Sequence, residues 1–385
     1  MFQRQIDKTL RKAAGSFPVV FLTGPRQSGK TTLLRHLFPE YTYVSLERPD
    51  VLERITTDPL GFLGDNKNLI IDEAQRFPGL FSYLQGIVDE KPRPAQFILS
   101  GSQNFLLSHH INQTLAGRAC VLELLPLSYN EYRTHPKLPD VDIWELLFKG
   151  GYPRPYQEGQ DYGLWCGSYL RTYVERDVRT LIQVKDLLKF QTFLKLCAGR
   201  HGQLLNLTAL AVDAGIAQTT TSEWLSILEA SYITFRLKPY HKNFNKRMIK
   251  TPKLYFYDSG LVCYLLGIES PDHLKIHSQR GAIFEGFVIS EFIKNRLSEG
   301  KPADFYFWRD QQGLEIDLLW ESGEMQNVCE IKSSQTFRTE FLKSLVAWTK
   351  LSQNVASQSM IAYAGDESFV QQGFPVKAWK ELGNL

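Results

Sequence analysis

Cysteine is sparse in this 385-residue chain, with Cys120, Cys166, Cys197, Cys263 and Cys329 far apart and no C-x-x-C pair among them. Such a set excludes a disulfide framework or a zinc ribbon and fits buried thiols in a reducing compartment. Long apolar runs are missing as well: nothing approaches the roughly 18 residues of a membrane span. The N-terminal MFQRQIDKTLRKAAG has no apolar core of signal-peptide length. The expectation is a cytoplasmic protein without membrane contact. Neither charge sign dominates, since 44 Lys and Arg stand against 41 Asp and Glu, a net +3. A basic face, if there is one, must therefore be local. Repeats and low-complexity tracts are absent, and 43% hydrophobic with 22% charged residues excludes disorder as the main state. What remains is a globular chain with room for several domains of about 100–200 residues.

Residues 1–14 carry Phe2, Ile6 and Leu10 at helical spacing. The apolar run Phe17–Thr23 leads through a glycine-bounded turn into the amphipathic stretch Thr31–Leu37. Strand-like runs follow at Tyr41–Leu46, Asn68–Asp72, Gln96–Ser100 and Cys120–Leu125. Strands alternating with helical stretches predict crossover units and a parallel sheet. Residues 142–200 read as mainly helical, broken by the turn cluster Gly150–Pro155, and 204–229 as two short helices around Gly215. Ile233–Lys238 begins a ribbon, followed by a basic stretch at His241–Arg247. The last third reads as helix Gly281–Asn295, strands Asp304–Trp308, Leu314–Trp320 and Gln326–Lys332, helix Arg338–Leu351 and strand Met360–Ala364. The fold class is therefore α/β, divided at 1–135, 136–200, 201–265 and 270–385.

Gly24-Pro25-Arg26-Gln27-Ser28-Gly29-Lys30-Thr31, followed by Thr32, matches G-x-x-x-x-G-K-[ST] between a strand and a helix. Two glycines let backbone N–H groups curl round phosphate oxygens, and the helix N-terminus adds positive potential. In that arrangement Lys30 reaches the β- and γ-phosphates and the Thr31 hydroxyl ligates Mg²⁺. Leu69-Ile-Ile-Asp72-Glu73, about 40 residues downstream, has the form of a Walker B strand. Asp72 at its end is a Mg²⁺ ligand candidate, and Glu73 is placed to polarise the attacking water. Phe97–Ser100 leads to Ser102 and Asn104, candidates for sensing the γ-phosphate; a plain strand-to-loop cap is the other reading. Arg118 is a candidate arginine finger acting on a neighbouring copy's nucleotide, which would imply a homo-oligomer.

Downstream, residues 204–228 have helix-turn-helix form, with Gly215 at the turn and Trp224, Leu225 and Leu228 directed inward. The following ribbon suggests a winged helix. Gln218, Thr219, Thr220 and Ser222 open the second helix, where bases are usually read; Lys242, Lys246, Arg247, Lys250 and Lys253 could contact phosphates. Packing or oligomerisation is an equally weighted use of such a module. In the last third, alternation puts Glu330 and Lys332 on one strand face, and Asp317 on the adjoining strand can approach them. Carboxylates with a lysine are what Mg²⁺-assisted phosphodiester hydrolysis needs. His109, His110, His273 and His277 read as solvated or capping residues.

The order of the nucleotide motifs resembles the AAA+ superfamily. More closely, the chain resembles the bacterial and archaeal AAA-type ATP-binding proteins with a C-terminal domain of unknown function. LTGPRQSGKTTLL, LIIDEAQRFPGL, ILSGSQNFLL, LAGRACVLELLPLSYNEY, GGYPRP, YVERDV and TPKLYFYDSGL carry the likeness, which GAIFEGF, FWRDQQGLEID and EIKSSQ extend. It implies ATP hydrolysis in an AAA-like fold. The order helix–strand–strand–strand–helix–strand with D…E-x-K resembles the PD-(D/E)xK nuclease superfamily. That likeness implies chemistry at Asp317, Glu330 and Lys332, an outer metal ligand at Glu285 and a supporting contact from Gln335. Two functions follow as expectations, with ATP and Mg²⁺ as cofactors in both. One is an ATP-driven machine acting on DNA, with a Mg²⁺-dependent nuclease domain. The other is an ATP-gated interaction protein whose C-terminal domain binds a partner and cuts nothing.

Overall fold

The order of the strands decides where the functional side chains meet. In the computed structural model, residues 1–65, 68–90, 93–102, 114–174, 187–240, 250–352 and 357–384 are described. The N-terminal part holds a parallel sheet of β1 (Val19–Thr23), β2 (Thr42–Ser45), β3 (Leu69–Asp72), β4 (Phe97–Gly101) and β5 (Ala119–Glu123), in the order β2-β3-β4-β1-β5. Its inner strands β1, β3 and β4 are buried along their whole length because helices cover both faces, while the edge strands β2 and β5 are only partly covered. Side chains alternate between the faces: Val19, Phe21, Ile71 and Leu99 enter one cluster, Val20, Leu22, Ile70 and Ile98 the other. The helix Lys30–Leu37 buries Leu33, Leu34 and Leu37 on the second face, beside Ile6, Leu10 and Ala13 of the N-terminal segment.

β4 returns to lie between β3 and β1, with Ile71 opposite Leu99 and Leu22 opposite Ser100. The C-terminal strand ends carrying Gly24, Asp72 and Ser102 are thereby brought side by side, the usual ligand position of an open parallel sheet.

A second sheet runs through the rest of the chain. It comprises β6 (Gln203–Leu204), β7 (Thr234–Pro239), β8 (Lys253–Phe256), β9 (Tyr306–Arg309), β10 (Glu315–Ser322), β11 (Met325–Lys332), β12 (Ser357–Tyr363), β13 (Phe369–Gln371) and β14 (Phe374–Ala378), in the order β13-β14-β12-β11-β10-β9-β7-β8-β6. The ribbon β7–β8 after the helix pair is thus joined to the C-terminal strands. The seam is short, a parallel pairing of Lys238 with Tyr306 and Pro239 with Phe307. β9, β10 and β11 are antiparallel neighbours, and β12 lies parallel to β11. The helix Arg280–Ser298 packs over this sheet, and the helix Lys343–Leu351 precedes β12. β8 and the strands β13 and β14 went unread in the sequence: β8 is a short, wholly buried run without alternation, and β13 has an exposed, irregular edge pattern.

Helices Leu207–Ala214 and Gln218–Ala230 form the expected pair, joined through Gly215 at φ +62°. Trp224 holds them to the helix Leu187–Gly199, edge-on to Phe190 and Phe193. Among the described residues, no helix is long and apolar enough to cross a membrane. Cys166, Cys197, Cys263 and Cys329 are buried thiols, and Cys120 is half-buried.

Candidate functional site

The loop between β1 and the helix Lys30–Leu37 is shaped by its glycines. Gly24 adopts φ +148°, and a Cβ there would lie 2.1 Å from the Leu124 carbonyl oxygen. Gly29 adopts φ +95° and Gln27 φ +61°. Lys30 is folded back, donating to the Gly24 and Pro25 carbonyls at 2.9 and 2.8 Å. Its ammonium therefore rests inside the loop whose backbone N–H groups a phosphate would meet.

Asp72 collects the donors around it. One of its oxygens accepts from Thr31 Oγ1 and from the Tyr43 hydroxyl, each at 2.8 Å. The other accepts from Ser100 Oγ at 2.5 Å and from the Glu73 N–H at 3.1 Å. The Thr31 hydroxyl and the Asp72 carboxylate are adjoining hard oxygen donors at a helix N-terminus, a donor set that suits Mg²⁺. Glu73 stands in the left-handed region at φ +55°, a conformation that costs a non-glycine residue of the order of 1 kcal/mol. Its carboxylate accepts from Gln75 Nε2 and, at 3.3 Å, from Ser102 Oγ, and lies 3.7 Å from Arg26. Arg26, Lys30, Thr31, Asp72 and Glu73 line a cleft of about 490 Å³, together with Pro153 and Arg154 of the GGYPRP segment and Gln157 just beyond it.

Several supports of this cleft went unread in the sequence. Arg4 is buried and donates to the Ser28 carbonyl inside the loop and to the Leu125 carbonyl, both at 2.7 Å, while its Nε lies 3.0 Å from Glu131. Trp165 Nε1 donates to Gln27 Oε1 at 2.9 Å, and the Tyr232 hydroxyl reaches Thr23 Oγ1 at 3.3 Å. Arg4, Trp165 and Tyr232 approach from remote stretches, which no local motif could announce. Arg118 lies apart from the cleft, paired on the surface with Asp89 through both carboxylate oxygens. Asn104, His109 and His110 lie outside the described residues.

At the helix pair, Gln218, Thr219 and Ser222 are exposed and Thr220 half-exposed. Lys250 is exposed, and Lys242, Lys246 and Arg247 fall outside the described residues. Lys253 departs from the expected phosphate-contacting cluster. It is only 4% exposed, because its side chain turns inward to opposite charges instead of outward to solvent.

Those charges belong to the C-terminal carboxylates. Oxygens of Glu285, Glu315 and Asp317 lie within 4.8 Å of one another. Lys253 Nζ donates to Glu285 Oε1 at 2.9 Å and pairs with Glu315, and the Tyr255 hydroxyl donates to the same Glu285 oxygen. Asp317 Oδ2 accepts from the Ile331 N–H at 2.8 Å and lies 3.8 Å from Lys332 Nζ, which also pairs with Glu330. Glu330 accepts from Ser344 at 3.1 Å, and its second oxygen is buried without a hydrogen-bond partner. Burial first, and then the charge of Asp317, push the Glu330 carboxyl up to about 8. Burial likewise raises Glu285. The structure thus brings Glu285, Asp317, Glu330 and Lys332 to one region and leaves Gln335 exposed beyond the end of β11. Glu315 was readable, since it stands two residues before Asp317 on the same strand face. Lys253 was not, coming from 32 residues before Glu285.

Residues 16–133 match the family described as AAA domain, and 140–272 and 280–380 match two domains of unknown function, DUF8612 and DUF4143. The walker-type ATPase PABY2304 of Pyrococcus abyssi aligns over 69% of this chain and 96% of its own, at 16% identity and a TM-score of 0.47. Rv2008c of Mycobacterium tuberculosis and Mb2031c of Mycobacterium bovis are each 34% identical over 342 residues, which is 87% of this chain and 74% of theirs. With identity sustained over that share of both sequences, the chain belongs to the same family as Rv2008c and Mb2031c, and its N-terminal part is an AAA domain.

Proposed function

We propose that the protein binds and hydrolyses ATP with Mg²⁺ in the cleft between the Gly24–Thr32 loop and the ends of β3 and β4. The observation that carries this reading is the junction of Thr31 with Asp72 and of Glu73 with Ser102, around a lysine seated in a glycine-shaped loop. Backbone N–H groups of the loop bind the phosphates, and Lys30 leaves the Gly24 and Pro25 carbonyls to meet the β- and γ-phosphates. Thr31 and Asp72 would hold Mg²⁺, which when bound neutralises charge developing on the phosphate oxygens. Glu73 takes the proton of the attacking water, with Ser102 orienting its carboxylate. Arg118 would serve a neighbouring copy's nucleotide in a homo-oligomer, after release from Asp89.

The wider reading is an ATP-driven action on DNA. The exposed Gln218, Thr219 and Ser222 at the start of the second helix support contact with DNA, and Asp317, Glu330 and Lys332 support a nuclease-like domain. The order of helix, three antiparallel strands, helix and parallel strand in 280–363 is consistent with that class. One helix, Arg280–Ser298, ties this region to the ATPase part. It carries Glu285 near one end; further along, Glu291 accepts from the Tyr129 N–H at 2.8 Å and Lys294 donates to the Leu127 carbonyl at 3.0 Å. The second reading, an ATP-gated protein whose C-terminal domain binds a partner without cutting, is favoured by Lys253 standing among the carboxylates.

ATP hydrolysis and DNA cleavage measured side by side test both. Lys30→Ala should abolish phosphate release, and unchanged release would mean the site is misassigned. Cleavage that persists in Asp317→Ala and Lys332→Ala would remove the nuclease reading.

A further inference from the structure

Glu285, the outer carboxylate of the nuclease-like reading, and its neighbour Glu315 already hold a cation. Lys253 enters from β8, on the far side of β7 and β9, and its Nζ passes 5.5 Å above the Phe307 ring before meeting Glu285 and Glu315. Both of those acids belong to the trio whose oxygens lie within 4.8 Å of one another, and the third, Asp317, is already engaged by Ile331 N–H and Lys332. Glu315 has a further partner in Arg309 at 3.1 Å. An ammonium held by two carboxylates of the trio already supplies positive charge there, and a divalent ion placed beside it meets strong like-charge repulsion in a poorly solvated site. A divalent ion entering the cluster would therefore have to displace Lys253 or bear its repulsion.

We propose that Lys253 is the resident cation of the C-terminal carboxylate cluster, standing where a divalent metal would bind and keeping that site closed to metal. This rests on reading Glu285, Glu315 and Asp317 as a cation site, and it specifies how that site is regulated. Lys253 is 4% exposed, so it cannot swing into solvent alone. Withdrawing it requires β8 to move, and β8 is hydrogen-bonded into the C-terminal sheet through β7, whose strand pairing with β9 covers two residue pairs. The lysine thereby links the state of the helix-turn-helix ribbon to the state of the cluster.

Mn²⁺ binding to the nucleotide-free full chain, followed by electron paramagnetic resonance, tests this without any catalytic readout. Wild type and Asp317→Asn should bind Mn²⁺ identically. Lys253→Met, which keeps most of the length of the side chain and removes its charge, should gain one ion per chain, and Lys253→Met combined with Asp317→Asn should lose it again. Should Lys253→Met not fold by circular dichroism, Lys253→Gln asks the same question with a polar head. If wild type carries an ion that Asp317→Asn abolishes, metal and lysine coexist, and the proposal falls while the cation-site reading stands. If a folded Lys253 variant gains no ion, the cation-site reading itself fails and takes the proposal with it.

Discussion

Replacing Arg4 by methionine tests whether the N-terminal segment shapes the nucleotide loop. Arg4 is 7% exposed, and its guanidinium supplies the donors for the Ser28 and Leu125 carbonyls, besides facing Glu131. Methionine keeps most of the stem and removes every donor. Breaking a buried ion pair from one side costs about 3–5 kcal/mol because a charge is left uncompensated. Glu131 still accepts from the Gln5 N–H at 2.8 Å and the Ser128 N–H at 3.0 Å, so the lower end, about 3 kcal/mol, is expected. Adding Glu131→Gln should recover most of that loss by removing the stranded charge. It should not recover nucleotide affinity, because the Ser28 carbonyl remains unheld and the loop loosens. One lost hydrogen bond from a charged donor corresponds to a fall in ATP affinity of about tenfold. Urea denaturation and calorimetric ATP titration of the two variants read the effects separately. An unfolding free energy within about 0.5 kcal/mol of wild type, together with unaltered ATP affinity in Arg4→Met, would refute the reasoning.

Three further outcomes are expected. Glu73→Gln should retain ATP binding while lowering hydrolysis by about 10²–10⁴-fold, the usual share of a general base, read by single-turnover phosphate release. Gly24→Ala should lose ATP binding in the same titration, since its Cβ would sit 2.1 Å from the Leu124 oxygen at a φ of +148°. His201 is wholly buried, with Nδ1 accepting from the Phe256 N–H, and burial holds its pKa down at about 3 against an ordinary 6.5. The unfolded chain then binds a proton that the folded chain refuses, so stability is lost as pH falls from 6.5 towards 3. The slope is about 1.4 kcal/mol per pH unit. In His201→Asn, urea midpoints across that range should fall less steeply; an identical slope would exclude His201 as the group responsible.

The nucleotide motif was legible because its physics is local. A glycine-bounded turn between a buried strand and an amphipathic helix has one well-known use, and Gly24, Gly29, Lys30 and Thr31 stand within eight consecutive residues. Asp72 and Glu73 were legible for the same reason, at the end of a short apolar strand. Their partners were less so: Ser100 and Tyr43 reach Asp72 only because β4 and β2 flank β3 in the sheet. Arg4 belongs to an ordinary amphipathic segment, and nothing near it in the chain marks the carbonyls it holds. The basic stretch beginning at His241 led to one misplacement, Lys253, because composition assigns a lysine to solvent until a buried counter-charge is seen.

The amino-acid order by itself determined a parallel α/β domain with a phosphate-binding loop and its acidic partner, since hydrophobic periodicity and turn chemistry act over a few residues. It also placed Glu330 and Lys332 on one face of a strand through the period of two. Only the tertiary structure decided that β7 and β8 join the C-terminal sheet, and that Lys253 meets Glu285 and Glu315. Pairing between distant strands and the neutralisation of buried charge depend on which segments the whole fold brings together, and neither leaves a periodic trace in the chain.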